Sequence, residues 1–314
     1  MQQVAGLVLP LFGLVFLGYL AGRLKKIPIE GLAWLNFFIV YIALPALIFR
    51  LLSDTPVSEF ANTRFLINTT LGTFLIFLLC FCIAKLLRKA DTSSATVQGF
   101  AGAYGNIGYM GPPLAIAAFG PEAGVPVALV FCLDNAMHFT LAPTLMAIGS
   151  KKPQRVWSIV SSIAHKIITH PFILATLAGM ACAWMKVQLP TTIDQFLLSL
   201  SNAAAPCALF AMGVTAAIRP LKRIPVELSY LIPIKLFVHP LLIYVLVTQI
   251  PNINDVWVYS AVLLAALPSA TNVFVIAQQY SVWEERASSA VVLSTLCSLL
   301  TVTVYLYLAT NRLI

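Results

Sequence analysis

The stretch GFAGAYGNIGYMGPP, Gly99–Pro113, carries a glycine at every third position (Gly99, Gly102, Gly105, Gly108, Gly111) and ends on two prolines. In a helix interior each glycine costs about 1 kcal/mol and each proline about 3. Yet the apolar run that holds them, 94–119, is long enough to cross a bilayer, which takes about 20 residues. Such a run cannot be one uninterrupted helix. Non-helical backbone persists at membrane depth only where it is buried in protein or lines a watery cavity. The stretch therefore predicts a broken span at a functional centre.

The rest of the chain is membrane-like. Of its 314 residues, 60% are hydrophobic and 10% charged, against about 25% charged in a soluble domain. Apolar runs predict ten spans, at 4–24, 31–52, 64–87, 94–119, 123–149, 170–187, 192–218, 227–250, 256–279 and 284–309. No basic residue precedes the first run, which favours a first span over a cleaved signal peptide. Basic residues gather after the odd-numbered spans: Arg23, Lys25 and Lys26; Lys85, Arg88 and Lys89; Lys151, Lys152, Arg155 and Lys166; Arg219, Lys222 and Arg223; then Arg286. The other side holds Arg50, Arg64, Lys186 and Arg312. This asymmetry predicts both termini outside the cytoplasm. It also makes the net charge of +8 a topology signal and excludes a nucleic-acid partner. Trp34, Trp157, Trp184, Trp257 and Trp283 fall near span ends, as an aromatic belt would. The six cysteines lie inside apolar runs and read as small apolar residues.

An offset of 161 residues relates Pro10 to Pro171 and Pro45 to Pro206. The same shift carries the break at 105–113 onto 266–274, which contains Pro268, Ser269, Thr271 and Asn272. Two halves follow, 1–150 and 170–314, joined by a linker at 151–169. In the linker, Val156, Ile159, Val160, Ile163 and Ile167 predict an amphipathic helix on the cytoplasmic leaflet. Five spans per half is an odd number, so the halves enter the membrane from opposite sides. The expected fold is an all-α membrane protein of ten helices in two inverted repeats, with crossed broken helices in spans 4 and 9.

Paired broken helices in corresponding positions are the mark of a substrate site in secondary transporters. The candidate substrate-binding residues are Asn106, Gly108, Pro112, Pro113, Pro268, Ser269, Thr271 and Asn272. Pro112 and Pro113 suit the first turn of a half-helix, whose positive end favours an anion. A second reading of the glycines, as a helix-packing face, rests on the small-residue interfaces of membrane helices.

Asp134 and His138 are four residues apart on span 5, and Lys235 and His239 four apart on span 8. An ionisable residue inside a membrane is costly and points to function. Asp134 with Lys235 is the expected charge pair, in a role of proton or cation coupling; the alternative is a structural, neutralised pair. His165 and His170 read as interfacial. No paired-carboxylate motif, serine elbow or histidine ligand set suggests an enzyme, metal or cofactor. The glycine string follows no strand, which argues against a dinucleotide site.

The segments GNIGYMGPPLA (105–115), LPSATNVFVIAQQY (267–280) and NAAAPCALFAMG (202–213) resemble the auxin efflux carrier family, which includes plant PIN-formed carriers and bacterial malonate or malate permeases. The resemblance covers essentially the whole chain. It implies a fold like that of bile-acid symporters, with spans 4 and 9 crossing at the centre. It implies a transport domain of spans 3–5 and 8–10 and a scaffold of spans 1, 2, 6 and 7 that dimerises. The family's crossover asparagines and prolines correspond to Asn106, Pro112, Pro113, Pro268 and Asn272. The chain lacks the long hydrophilic central loop of many plant carriers, which favours a short permease of a bacterial inner membrane.

The expected function is secondary transport of a small organic carboxylate, such as malonate, malate or an auxin-like acid, by alternating access at the crossover. The coupling ion stays open between H⁺ and Na⁺. The expected partners are the carboxylate anion, membrane lipid and a second copy of the chain. An integral-membrane transferase and an anion channel are the alternatives.

Overall fold

The computed structural model describes residues 2–24, 29–150, 156–218 and 224–311. Lys25, Lys26, Lys151, Lys152, Arg155, Arg219, Lys222, Arg223 and Arg312, and the Lys166 side chain, lie outside the described set. The described residues form helices: α1 (Gln2–Leu24), α2 (Gly31–Ser53), α3 (Thr63–Leu87), α4 (Thr92–Ala103), α5 (Gly111–Phe119), α6 (Gly124–Gly149), α7 (Val156–Ile168), α8 (Pro171–Trp184), α9 (Thr191–Ile218), α10 (Leu228–Thr248), α11 (Asp255–Ala266), α12 (Thr271–Gln279) and α13 (Glu284–Thr310). Six helical segments are long and apolar enough to cross a membrane: α2, α3, Pro121–Gly149, α9, α10 and α13.

Local chemistry sets the ends of these helices. The Asn62 side chain accepts from the Phe65 N–H, Asp91 from Ser94, and Asn254 from Val256, which caps α3, α4 and α11. Pro171 opens α8, where its missing N–H is no loss. Within α2 and α10 the prolines Pro45 and Pro240 cannot donate to the preceding turn. Each helix accommodates this with a π turn just upstream, Ile39–Ala43 in α2 and Ile234–Val238 in α10.

Small residues let backbones meet. Helix α1 lies along α9, where a Cβ on Gly213 would collide with the Val15 carbonyl oxygen and one on Gly18 with the Phe210 carbonyl oxygen. Alongside them α2 packs on α8 and on α9. In a second group α3 packs on α4, and α10 on α11 and α3. The short helices cross-pair: α4 packs on α12, and α5 on α11.

Both sequence breaks exist, and both are narrower than expected. The first spans only 104–110, and the second only 267–270. Gly99 and Gly102 are helical, and their bare faces receive the Phe77 ring and the Cys80 sulfur. The packing reading of the glycine string thus applies to its first half and the breaking reading to Gly105 and Gly108. The tryptophans expected at span ends differ in exposure. Trp34, Trp157 and Trp184 are exposed, whereas Trp257 is buried against Phe65, with ring centroids 4.7 Å apart.

Candidate functional site

The two breaks meet. Gly105 and Ser269 form an antiparallel bridge. The Asn106 N–H donates to the Pro268 carbonyl at 2.7 Å, and the Ala270 N–H to the Tyr104 carbonyl at 2.8 Å. Backbone groups freed where α4 and α11 end are thereby satisfied by each other, as buried backbone polar groups require. Proline is tolerated at 268 because its carbonyl is what the pairing uses.

A cavity of about 130 Å³ opens beside this bridge. Its wall includes Tyr104, Asn106, Gly108 and Tyr109 from the first break, Thr271 and Asn272 from the second, and Phe131, His170 and Phe172 from α6 and the start of α8. A cavity of roughly 150 Å³ admits a benzene, so this one matches a small molecule of similar bulk. The Thr271–Gln279 helix has no side-chain cap, and its first residues line the cavity, so its positive end faces the space. The end of Gly111–Phe119 contributes less, because Pro112 and Pro113 remove two of its N–H groups and lie buried away from the wall.

The candidate substrate residues therefore divide. Asn106, Gly108, Thr271 and Asn272 line the cavity. Pro268 and Ser269 hold the crossover instead: the Ser269 hydroxyl donates to the Ala101 carbonyl at 2.6 Å, and its N–H donates to Ser294 Oγ at 3.1 Å. Within the wall the Asn106 amide reaches Met212 Sδ at 3.2 Å, a contact with α9.

Residues beyond the expected set complete the site. Tyr104 donates to Asn135 Oδ1 at 2.5 Å and accepts from the Asn272 amide at 2.9 Å. Its ring stacks on His138 with centroids 3.9 Å apart. His138 thus serves as a flat buried support for Tyr104. His170, expected at the interface, borders the cavity among Phe131, Phe139 and Phe172. Tyr104 lies inside the glycine-rich stretch, where the glycines are the stronger signal. His170 stood next to Pro171, the repeat landmark, and that adjacency was its only signal.

The expected Asp134–Lys235 ion pair does not form. Lys235 Nζ donates to the Ala265 carbonyl at 2.6 Å and lies 3.1 Å from His239 Nδ1. Asp134 Oδ2 accepts from Thr73 Oγ1 at 3.1 Å, and Thr73 Oγ1 lies 3.4 Å from His239 Nε2. The four side chains form a buried chain, Asp134–Thr73–His239–Lys235, in which a hydroxyl and an imidazole stand between the charges. The reason is local: the ammonium sits at the C-terminal end of α11, where the break leaves carbonyls without helical partners. Asp134 Oδ1 is buried without a hydrogen-bond partner. It adjoins a water-sized space of about 10 Å³ that Gly105 and Ala265 also line.

Comparison with known proteins now bears on this geometry. The family model described as "Membrane transport protein" matches residues 3–306. A protein of Rhizobium meliloti (strain 1021) named "Putative malonate transporter" is 53% identical over 308 residues, covering 98% of this chain and 96% of its own. An "Uncharacterized transporter" of Escherichia coli (strain K12) is 25% identical over 319 residues, covering 97% of each chain. The "Lysosomal cholesterol signaling protein" of Mus musculus is 28% identical over 313 residues, covering 93% of this chain but 36% of that protein.

Proposed function

Since the chain belongs to the membrane transport protein family, the auxin efflux carrier family, we propose that it is a secondary carrier of a small dicarboxylate such as malonate, working by alternating access at the crossover. It is a membrane transporter and not an enzyme, as its family and its bacterial relatives are named for transport. The observation that carries the substrate class is the cavity of about 130 Å³ beside the paired breaks. It is sized for a molecule no larger than benzene. It offers an uncapped helix N-terminus, two asparagines and His170 to an anion. The malonate in the name of the Rhizobium relative suits that size.

We read the chain as ten spans in two inverted halves, 1–150 and 170–314, joined by the linker helix at the membrane surface. The support lies in helix bounds that recur at the offset of 161. Thr92–Ala103 and Gly111–Phe119 shift onto 253–264 and 272–280, against Asp255–Ala266 and Thr271–Gln279. Gly124–Gly149 shifts onto 285–310, against Glu284–Thr310. Spans 1, 2, 6 and 7 would form a scaffold and the rest a moving body, in keeping with the α1–α9 and α2–α8 packing. The scaffold would pair two copies in a bacterial inner membrane with termini outside. The Asp134–Thr73–His239–Lys235 chain would carry coupling, by a proton in preference to Na⁺, because a resident ammonium already occupies the carbonyl end.

The test is uptake of labelled malonate into proteoliposomes. Saturable uptake, stimulated by malonate preloaded on the far side, is expected of a carrier. Asn106→Ala should abolish it while the protein stays folded. Flux that never saturates would make the protein a channel, and no flux with any small dicarboxylate would overturn the substrate class.

A further inference from the structure

A second polar cavity, of about 360 Å³, lies at the end of α3 and is lined by Arg88, Lys89, Ser94, Gln98, Trp283 and Arg286. Glu227, the one carboxylate in its wall, is already paired with Arg286. Arg88 and Lys89 carry no ion pair among the described residues. The nearby Asp91 is committed to Ser94, whose N–H and hydroxyl it accepts. Glu284 and Glu285 begin α13 next door but do not line the cavity. Two cations thus face the space with no anion assigned to them.

Trp283 adds an independent sign. Its indole Nε1 is buried with no acceptor. Its backbone has φ +58°, in the left-handed region that bulky side chains rarely adopt. A buried donor left unsatisfied is a rare and costly feature that asks for a missing partner. The surroundings say which kind. Leu86 and Leu87 directly precede the two cations, are 76% and 75% exposed, and end a membrane-length helix. Apolar surface running down to uncommitted cations is the profile of a lipid: acyl chains on the leucines, headgroup phosphate at the charges. Basic pockets between spans on the positively charged side of a membrane protein bind anionic headgroups.

We propose that this cavity holds the phosphate headgroup of an anionic phospholipid, with Arg88, Lys89 and Trp283 Nε1 donating to its phosphate oxygens. The site lies apart from the crossover cavity and needs no assumption about the transported substrate. Its chemistry is that of a phosphate anion, which free inorganic phosphate shares.

Native mass spectrometry of the purified protein, titrated with phosphatidylglycerol or with phosphatidylcholine of the same chains, tests it. Phosphatidylglycerol should bind in preference. The double variant Arg88→Gln with Lys89→Gln should weaken it roughly thirtyfold, since each cation near an anionic lipid is worth about a factor of five. Trp283→Phe, which keeps a ring and loses the N–H, should weaken it severalfold. Arg64→Gln, an exposed cation in the first turn of α3 at the opposite end from Leu87, should leave it unchanged. Equal binding of the two lipids, or full binding by the Arg88 and Lys89 variant, overturns the site. Displacement of phosphatidylglycerol by equimolar inorganic phosphate assigns the cavity to the free anion and overturns the lipid. Should the double variant melt early, the comparison of lipids on the unaltered protein decides alone.

Discussion

The side-chain amide of Asn272 donates to the Tyr104 hydroxyl at 2.9 Å, joining across 168 residues two breaks that are already paired through their backbones. The same hydroxyl donates to Asn135 on α6, so one phenol ties three elements together at the cavity wall.

Tyr104→Phe removes that phenol and strands Asn135 Oδ1 without its donor. An unsatisfied buried polar group costs about 1–3 kcal/mol. We expect a lower melting temperature and a large loss of uptake. Asn272→Ala should lose less stability, and in a double-mutant cycle the two changes should be less than additive, because they share one bond. Simple additivity would show that the bond contributes nothing.

The buried chain from Asp134 to Lys235 predicts an asymmetric response. Lys235→Met leaves the buried Ala265 carbonyl unpaired, at a cost of about 1–3 kcal/mol, and removes the cation at the far end of the chain from Asp134. Asp134→Asn with Lys235→Met should recover part of that. Thr73→Val, which changes no charge, should uncouple the two ends, abolishing the pH dependence of uptake while leaving counterflow exchange. Unchanged pH dependence in Thr73→Val would separate the chain from coupling.

His170→Gln should raise the KM for malonate roughly tenfold, the worth of a hydrogen bond to a charged group, with the maximal rate little changed. Initial rates of uptake over a range of malonate concentrations measure both. A fall in maximal rate at constant KM would assign His170 to the moving step instead.

Glycine substitutions separate close packing from free surface. Gly213→Ala, facing the Val15 carbonyl oxygen, should prevent α1 from seating on α9 and lose folded protein. Gly13→Ala, with nothing near its would-be side chain, should be neutral or stabilising by up to about 1 kcal/mol. Melting temperatures in detergent compare the two.

Asp91, in the loop before α4, supplies a pH test outside the membrane. Burial raises its carboxyl pKa, but hydrogen bonds from the Ser94 N–H and hydroxyl, with the backbone N–H groups of Asp91 and Ser93, together outweigh that and hold it below the usual value of 3.8. A lowered folded pKa means that the ionised cap stabilises the protein above pH 3.8 and that this contribution is lost as pH falls through the lowered value. Asp91→Ala should therefore destabilise by about 1 kcal/mol at neutral pH. The difference from the unaltered protein should close under strong acid.

Much of the architecture was legible in the sequence because it rests on local chemistry. Closely spaced glycines with Pro112 and Pro113, and Pro268 with its polar neighbours, weaken a helix locally, so both interruptions could be placed within a few residues. Asn106 and Asn272, polar beside those interruptions, could be singled out for the same reason. Ser269 looked equivalent to Thr271 by type and neighbourhood. Yet the crossover turns Ser269 toward Ala101 and Ser294 and leaves Thr271 at the cavity. Nothing within a few residues of position 269 encodes that difference.

The sequence by itself determined the membrane character and the two interruptions, because hydropathy and local helix weakening act through each residue and its immediate neighbours. Only the tertiary structure decided that Gly99 and Gly102 pack while Gly105 breaks, because the deciding groups, Phe77 and Cys80, arrive from another helix. It alone brought His170 to the cavity and buried Trp257 against Phe65. It alone set Thr73 and His239 between Asp134 and Lys235. A charge in a low-dielectric interior takes whatever partner lies within hydrogen-bond reach. Which partner that is depends on how distant elements fill space, and the order of residues along the chain does not state it.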